Sequence, residues 1–256
     1  MNLATADIDV GSEQGTRGVT LPVIEIFGPT VQGEGPDTGR PAYFVRFGGC
    51  DFRCNWCDSM HAVDPARVRS TAQHLTADEI LAHLRGLHDG PDLVVLSGGN
   101  PALLELGPLV ELLHDRAFEV AVETQGSRWK PWLAQVDRLV VSPKGPSSGM
   151  DSVEHRRALT LFLERAQKGG GQPVLKAVVF DESDLDYARW LAATWPNLSL
   201  HLSTGTDVGL SDEMTLEHLR TRLRWLSEIV AVDPALRRAR IGVQLHVLAW
   251  GTRQGV

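Results

Sequence analysis

The sequence predicts an α/β protein: a parallel sheet with helices crossing over outside it. Two patterns lead there. Short apolar runs at 43–47, 93–96, 120–122, 139–141, 174–180 and 198–202 alternate with longer amphipathic stretches at 76–88, 102–115, 129–135, 150–167, 183–194 and 211–230. Alternation of strand-length and helix-length segments gives parallel strands joined by crossover helices. The second pattern is what stands at the strand ends. Gly48-Gly49-Cys50 follows the first run, Ser97-Gly98-Gly99-Asn100-Pro101 the second, Glu123-Thr124-Gln125-Gly126 the third, Ser142-Pro143-Lys144 the fourth and Ser203-Thr204-Gly205 the sixth. Parallel α/β sheets bind ligands at the carboxyl ends of their strands, so these motifs predict one shared mouth.

The elements follow in order. Residues 26–35, Ile-Phe-Gly-Pro-Thr-Val-Gln-Gly-Glu-Gly, read as a flexible loop whose Gln and Glu can serve a heteroaromatic edge. The run at 43–47, Tyr-Phe-Val-Arg-Phe, is aromatic and β-branched, as strands prefer. Thr76 with Glu79 forms a capping box that opens the helix at 76–88. Leu-Val-Val-Leu at 93–96 is a buried strand, and each later apolar run is followed by a stretch long enough to cross back. The count is about six units, short of the eight of a closed barrel. A late apolar stretch at 243–250 reads as a strand, with Gln244 and His246 on one face.

With 256 residues, 43% hydrophobic and 22% charged, the composition is that of one ordinary globular domain. No apolar run approaches the roughly 20 residues that cross a bilayer, so no membrane association is expected. A net charge of −7 argues against nonspecific nucleic-acid binding. Residues 1–20 are polar and Gly-rich, with no basic start and apolar stretch of a secretory signal, and read as a flexible extension before a domain at 21–256.

All three cysteines stand together as Cys50, Cys54 and Cys57, spaced C-x3-C-x2-C. Three thiols cannot pair fully into disulfides, and their clustering suits a metal. An iron–sulfur cube usually takes four cysteines, so three leave one iron open. The spacing also admits a zinc loop with His61 as fourth ligand, or three free thiols. Glu123 ends an apolar strand, where a buried carboxylate needs a partner such as a ribose diol, though a surface glutamate would look the same. Arg46 lies in the strand before the cysteines. If buried it needs an anion, and its fork fits a carboxylate; if it faces outward it is simply solvated. Lys144 could pair with an acid or be solvated. Ser59 offers a hard oxygen for Mg2+. His246 is a candidate for the site, or else a satisfied core histidine.

Together these residues resemble the 7-carboxy-7-deazaguanine synthases, a branch of the radical S-adenosylmethionine (SAM) enzymes. The likeness runs from about Val23 to the end. It rests on Thr30-Val31-Gln32-Gly33-Glu34-Gly35, the cysteine loop with Asp58-Ser59, Ser97-Gly98-Gly99-Asn100-Pro101, Glu123-Thr124-Gln125-Gly126, Ser142-Pro143-Lys144 and Gln244-Leu245-His246. The cysteine spacing is common to the superfamily; the Gln-Gly-Glu-Gly loop with Cys-Asp-Ser and Ser-Pro-Lys is more specific. Asn100 departs from the Gly-Gly-Glu-Pro run of radical SAM enzymes. The resemblance implies a shortened (β/α)6-type barrel with outer helices and a 4Fe-4S cluster on Cys50, Cys54 and Cys57. It places SAM on Trp56, Cys57, Asp58, Gly99, Glu123, Ser142, Pro143, Lys144 and Ser203. It places the pterin substrate on Val31, Gln32, Gly33, Arg46, Ser97, His246 and Val256, and Mg2+ on Ser59. The implied reaction turns 6-carboxy-5,6,7,8-tetrahydropterin into 7-carboxy-7-deazaguanine, a lyase step of queuosine and 7-deazapurine biosynthesis. An adenosyl radical takes the hydrogen at C6, the ring contracts and ammonia leaves. A homodimer, an electron donor such as a flavodoxin or ferredoxin, and a reducing cytoplasm complete the expectation. A glycyl-radical activating enzyme shares the cysteine spacing but acts on a protein.

Overall fold

The computed structural model describes residues 18–88, 90–206, 212–251, 253 and 255. All six expected strands are present: β2 (Pro41–Phe47), β4 (Leu93–Gly98), β5 (Glu119–Thr124), β6 (Arg138–Val141), β7 (Val174–Val179) and β8 (Leu200–Thr204). Neighbours among them pair in parallel, and β9 (Arg240–Gly242) extends the row beside β8. At the other edge, β1 (Leu21–Val31) pairs antiparallel with β2 and with the short β3 (Gln73–Leu75). The strand order is β3-β1-β2-β4-β5-β6-β7-β8-β9.

Strand alternation sorts the side chains. One set, including Val45, Phe47, Leu96, Val122, Leu175 and Val179, joins the main core under the helices. Those helices are α3 (Ala77–Arg85), α4 (Gly107–His114), α5 (Val153–Lys168), α6 (Glu182–Thr194) and α7 (Asp212–Val232). α1 (Met60–Val63) and α2 (Pro65–Thr71) are short pieces after the cysteine loop. The other set faces inward. Ala42, Leu93, Val95 and Ala121 form a small buried plug with Phe44 packed against it. Two residues further along the same strands stand Arg46, Ser97 and Glu123, so the inner face changes from apolar to polar toward the carboxyl ends.

Four expectations fail, the first being the helix expected at 129–135, which is only a 3-10 turn at Pro131–Ala134. Residues 26–31 belong to β1, not to a loop. Gly28-Pro29 interrupts the alternation, and the pairing with β2 shifts register between Phe27 and Thr30. The single helix expected at 102–115 is a 3-10 turn at Pro101–Leu103 followed by α4, because Pro108 cannot continue a helix from Leu104 and restarts one instead. The stretch at 243–250 is not a strand. β9 ends at Gly242, Gln244 caps α8 (Leu245–Trp250), and His246 lies in its first turn.

Candidate active site

The carboxyl ends of the strands open onto a cavity of about 380 Å3. The cysteine loop forms one wall, and Cys50, Cys54 and Cys57 all line it. Backbone contacts seat the loop: Gly49 N–H donates to Ala62 O at 2.8 Å, Asn100 N–H to Gly49 O at 2.7 Å and Asn55 N–H to Ser148 O at 2.9 Å. A Cβ on Gly99 would overlap the Gly49 carbonyl, so that glycine lets the β4 turn and the cysteine loop touch. Burial pushes all three thiols up, Cys54 to about 11, against the lowering influence of the nearby Lys144 charge. A bound metal would bring three such sulfurs to the thiolate form near neutral pH, and three soft donors on one wall fit a thiolate-bound metal or an iron–sulfur cluster. His61 Nε2 lies 3.4 Å from Glu25 Oε1. Among the described residues no group of three or more His, Cys, Asp or Glu converges as a single metal ion requires.

Aromatic pairs make two further walls. Trp56, inside the cysteine loop, packs on Phe180 at 5.1 Å between centroids; Phe27 stacks on Phe44 at 5.0 Å. Lys144 Nζ lies 5.6 Å from the Trp56 ring and donates to Ser142 Oγ at 2.9 Å. Arg46 does have a protein anion: its Nε donates to Glu25 Oε1 at 2.5 Å and its Nη1 to Ser59 Oγ at 3.0 Å. Ser59 in turn donates to Asp58 Oδ1 at 2.9 Å.

The end beneath the Gln-Gly-Glu-Gly loop is ionic. Lys176, mid-strand in β7, donates to Glu34 Oε2 at 2.8 Å and to Glu123 Oε2 at 2.7 Å. Gln32 Nε2 donates to Glu123 Oε1 at 2.9 Å. The Glu123 carboxylate therefore finds its partners inside the protein. Gln32 is held by its own main chain, which exchanges hydrogen bonds with Gly39 and Arg40, and Leu245 N–H donates to Gly33 O at 3.0 Å. A Cβ on Gly33 would overlap the His246 ring. Burial alone would raise the Glu34 carboxyl, yet the Lys176 charge and hydrogen bond, helped by His246 and Gln244, hold it down at about 2. Burial opposes the Lys176 charge, and the two carboxylates overcome it, so its pKa is raised.

Asn100 is not a cavity residue. At 1% exposure it donates to Asp51 Oδ1 and Ser127 Oγ, both at 3.0 Å, and accepts from Thr124 Oγ1 at 2.8 Å and Ala102 N–H at 3.2 Å. It ties the cysteine loop to the end of β5. Of the other expected site residues, Val31, Gly99, Ser97 and His246 line the cavity. Pro143 and Ser203 are buried outside its lining, the Ser203 hydroxyl without a hydrogen-bond partner among the described residues. Val256 lies outside the described residues. Lys176 and Phe180 were missed. A lysine in the apolar run Val-Leu-Lys-Ala-Val-Val was the available signal, by the same reasoning that singled out Arg46.

Residues 44–178 match the Radical SAM superfamily. The chain is 40% identical over 242 residues to the 7-carboxy-7-deazaguanine synthase of Bacillus subtilis (strain 168), covering 92% of this chain and 98% of that protein. It is 36% identical over 241 residues to the 7-carboxy-7-deazaguanine synthase of Bacillus cereus, covering 92% and 99%. The crystal structure of QueE from Escherichia coli superposes with a TM-score of 0.65 at 24% identity, covering 93% of this chain and 100% of that one, and shares its fold.

Proposed function

Because the chain belongs to the 7-carboxy-7-deazaguanine synthase family of radical SAM enzymes, we propose that it converts 6-carboxy-5,6,7,8-tetrahydropterin to 7-carboxy-7-deazaguanine and ammonia. One observation carries this reading: the three thiols, the Arg46–Ser59 pair and the Gln32–Glu34 loop face one cavity. Product and ammonia together contain every atom of the substrate, so the overall change needs no external oxidant.

When bound, a 4Fe-4S cluster and SAM supply the carbon radical that can take the C6 hydrogen. Cys50, Cys54 and Cys57 would hold the cluster. Ser142, Lys144, Trp56, Asp58 and Gly99 surround the adjoining space and would hold SAM. Arg46 has more N–H donors than its bonds to Glu25 and Ser59 use, and the remainder would hold the substrate carboxylate. Ser59 presents its hydroxyl oxygen beside the Asp58 carboxylate, a hard-oxygen setting that would hold Mg2+. The aromatic pairs would shield the reacting carbon from water, and the rest of the protein's task is orientation. The electron comes from a small reduced carrier such as a flavodoxin or ferredoxin.

The test is anaerobic. The protein is reconstituted with iron and sulfide, then given SAM, Mg2+, a reductant and the pterin, and the product is sought by mass. The deazaguanine acid is expected, and should vanish in Cys54→Ala. A cluster that cleaves SAM and leaves the pterin untouched would keep the superfamily and remove this substrate.

A further inference from the structure

Lys176 is one cation between two carboxylates that come from different elements, Glu34 from the turn after β1 and Glu123 from the end of β5. Its side chain is 6% exposed. Two carboxylates sharing a water-poor site cannot both stay ionised without a counter-charge; one of them takes up a proton. A buried ion triad is rarely more stable than apolar side chains of the same volume, so its placement on a cavity wall points to use. Gln32 ties the arrangement together, donating to Glu123 while its own Oε1 accepts from Glu34 N–H at 3.2 Å.

We propose that Lys176 is a positioning residue for the substrate: it supplies the positive charge between Glu34 and Glu123 and fixes both carboxylates by hydrogen bonds, so that this end of the cavity accepts hydrogen bonds from the N–H-rich aminopyrimidinone edge of the pterin. The proposal rests on the pterin reading above. The depressed Glu34 carboxyl agrees with it. A carboxylate is acceptor-only, whereas a protonated carboxyl would offer a donor to a ring edge made of donors. Among the described residues, the other groups facing the triad are His246 and Gln244 from the α8 end, and His201 on β8, which also feels Arg240 and Asp37. His246 and His201 are present in every variant below, so their contribution is common to all.

The test follows KM and kcat for 6-carboxytetrahydropterin against pH, from mildly acidic to mildly alkaline, in the reconstituted holoenzyme. Lys176→Met is expected to raise KM about tenfold or more near neutrality, the loss typical of charge-assisted hydrogen bonds, with a smaller effect on kcat. Its KM should fall again as pH rises and both carboxylates ionise, an acid limb that the wild type lacks. Lys176→Arg should restore the wild-type profile. The double variant K176M/E34Q has one carboxylate and no like charge beside it, so its limb should lie at lower pH than that of K176M while the KM stays high. A K176M profile parallel to that of the wild type, or a limb at the same pH in K176M and in the double variant, overturns the proposal. If K176M does not fold, Glu34→Gln alone decides: the proposal requires a KM roughly tenfold higher with kcat largely kept, and an unchanged KM overturns it. A wild type that does not turn over the pterin removes the substrate assignment and this proposal with it; turnover with parallel profiles removes only the proposal.

Discussion

At the scale of single residues, Asn100 shows how a departure from a family pattern can be read physically. Its Nδ2 donates to the Asp51 carboxylate, and an ionised glutamate could not donate there. Asn100→Ala would leave the buried Thr124 hydroxyl and the Ala102 N–H without their acceptor, while Asp51 loses one donor and keeps Gln125. It should cost about 1–3 kcal/mol per unsatisfied group. Because Asp51 belongs to the cysteine loop, the variant should also retain less iron and labile sulfide per chain; full cluster content with an unchanged urea midpoint would contradict that. Arg46→Lys keeps the charge and loses the fork that reaches Glu25 and Ser59 together. It should raise the pterin KM about tenfold with the fold intact, as checked by circular dichroism and steady-state kinetics.

At the scale of elements, the site depends on glycines that let backbones and rings meet. Gly33→Ala drives a methyl group into the His246 ring, so α8 or the loop after β1 must move. Overpacking of this kind should cost about 1–3 kcal/mol and raise the pterin KM, seen as a lower thermal midpoint with a kinetic defect. The parallel strands were legible in the sequence because each is a short apolar run, and the cysteine wall because its three thiols stand within eight residues. β1 was not, since Gly28-Pro29 breaks its alternation at a register shift. α8 was not, since a six-residue apolar helix offers too little periodicity to be told from a strand. The Lys176 bridge was hidden for another reason. Its partners Glu34 and Glu123 are 142 and 53 residues away in the chain, and only the closing of the sheet around the cavity brings them together.

At the scale of the whole molecule, a polar cavity at the carboxyl ends sits above an apolar plug, and its ion triad links folding to pH. Glu34 is depressed in the fold from 4.5 to about 2, so its stabilisation is fully present above pH 4.5 and is lost as pH falls toward about 2. Lys176 is raised from 10.5, so its share is present below that value and is lost as pH climbs through the folded-state pKa. Urea midpoints should therefore hold between these limits and fall in acid. The K176M/E34Q variant should show a shallower acid slope than the wild type, although Asp137 and Asp233, also depressed, keep some slope in both. Equal slopes would mean that the triad contributes nothing to the linkage. The central claim is that one cavity brings the radical source and the pterin together. Its most direct measurement uses substrate deuterated at C6, with wild-type holoenzyme under anaerobic reduction, and follows the label by mass. Deuterium on the adenosyl group of SAM or of 5′-deoxyadenosine is the expected result. Cleavage of SAM with unlabelled adenosyl products and unchanged pterin would contradict it.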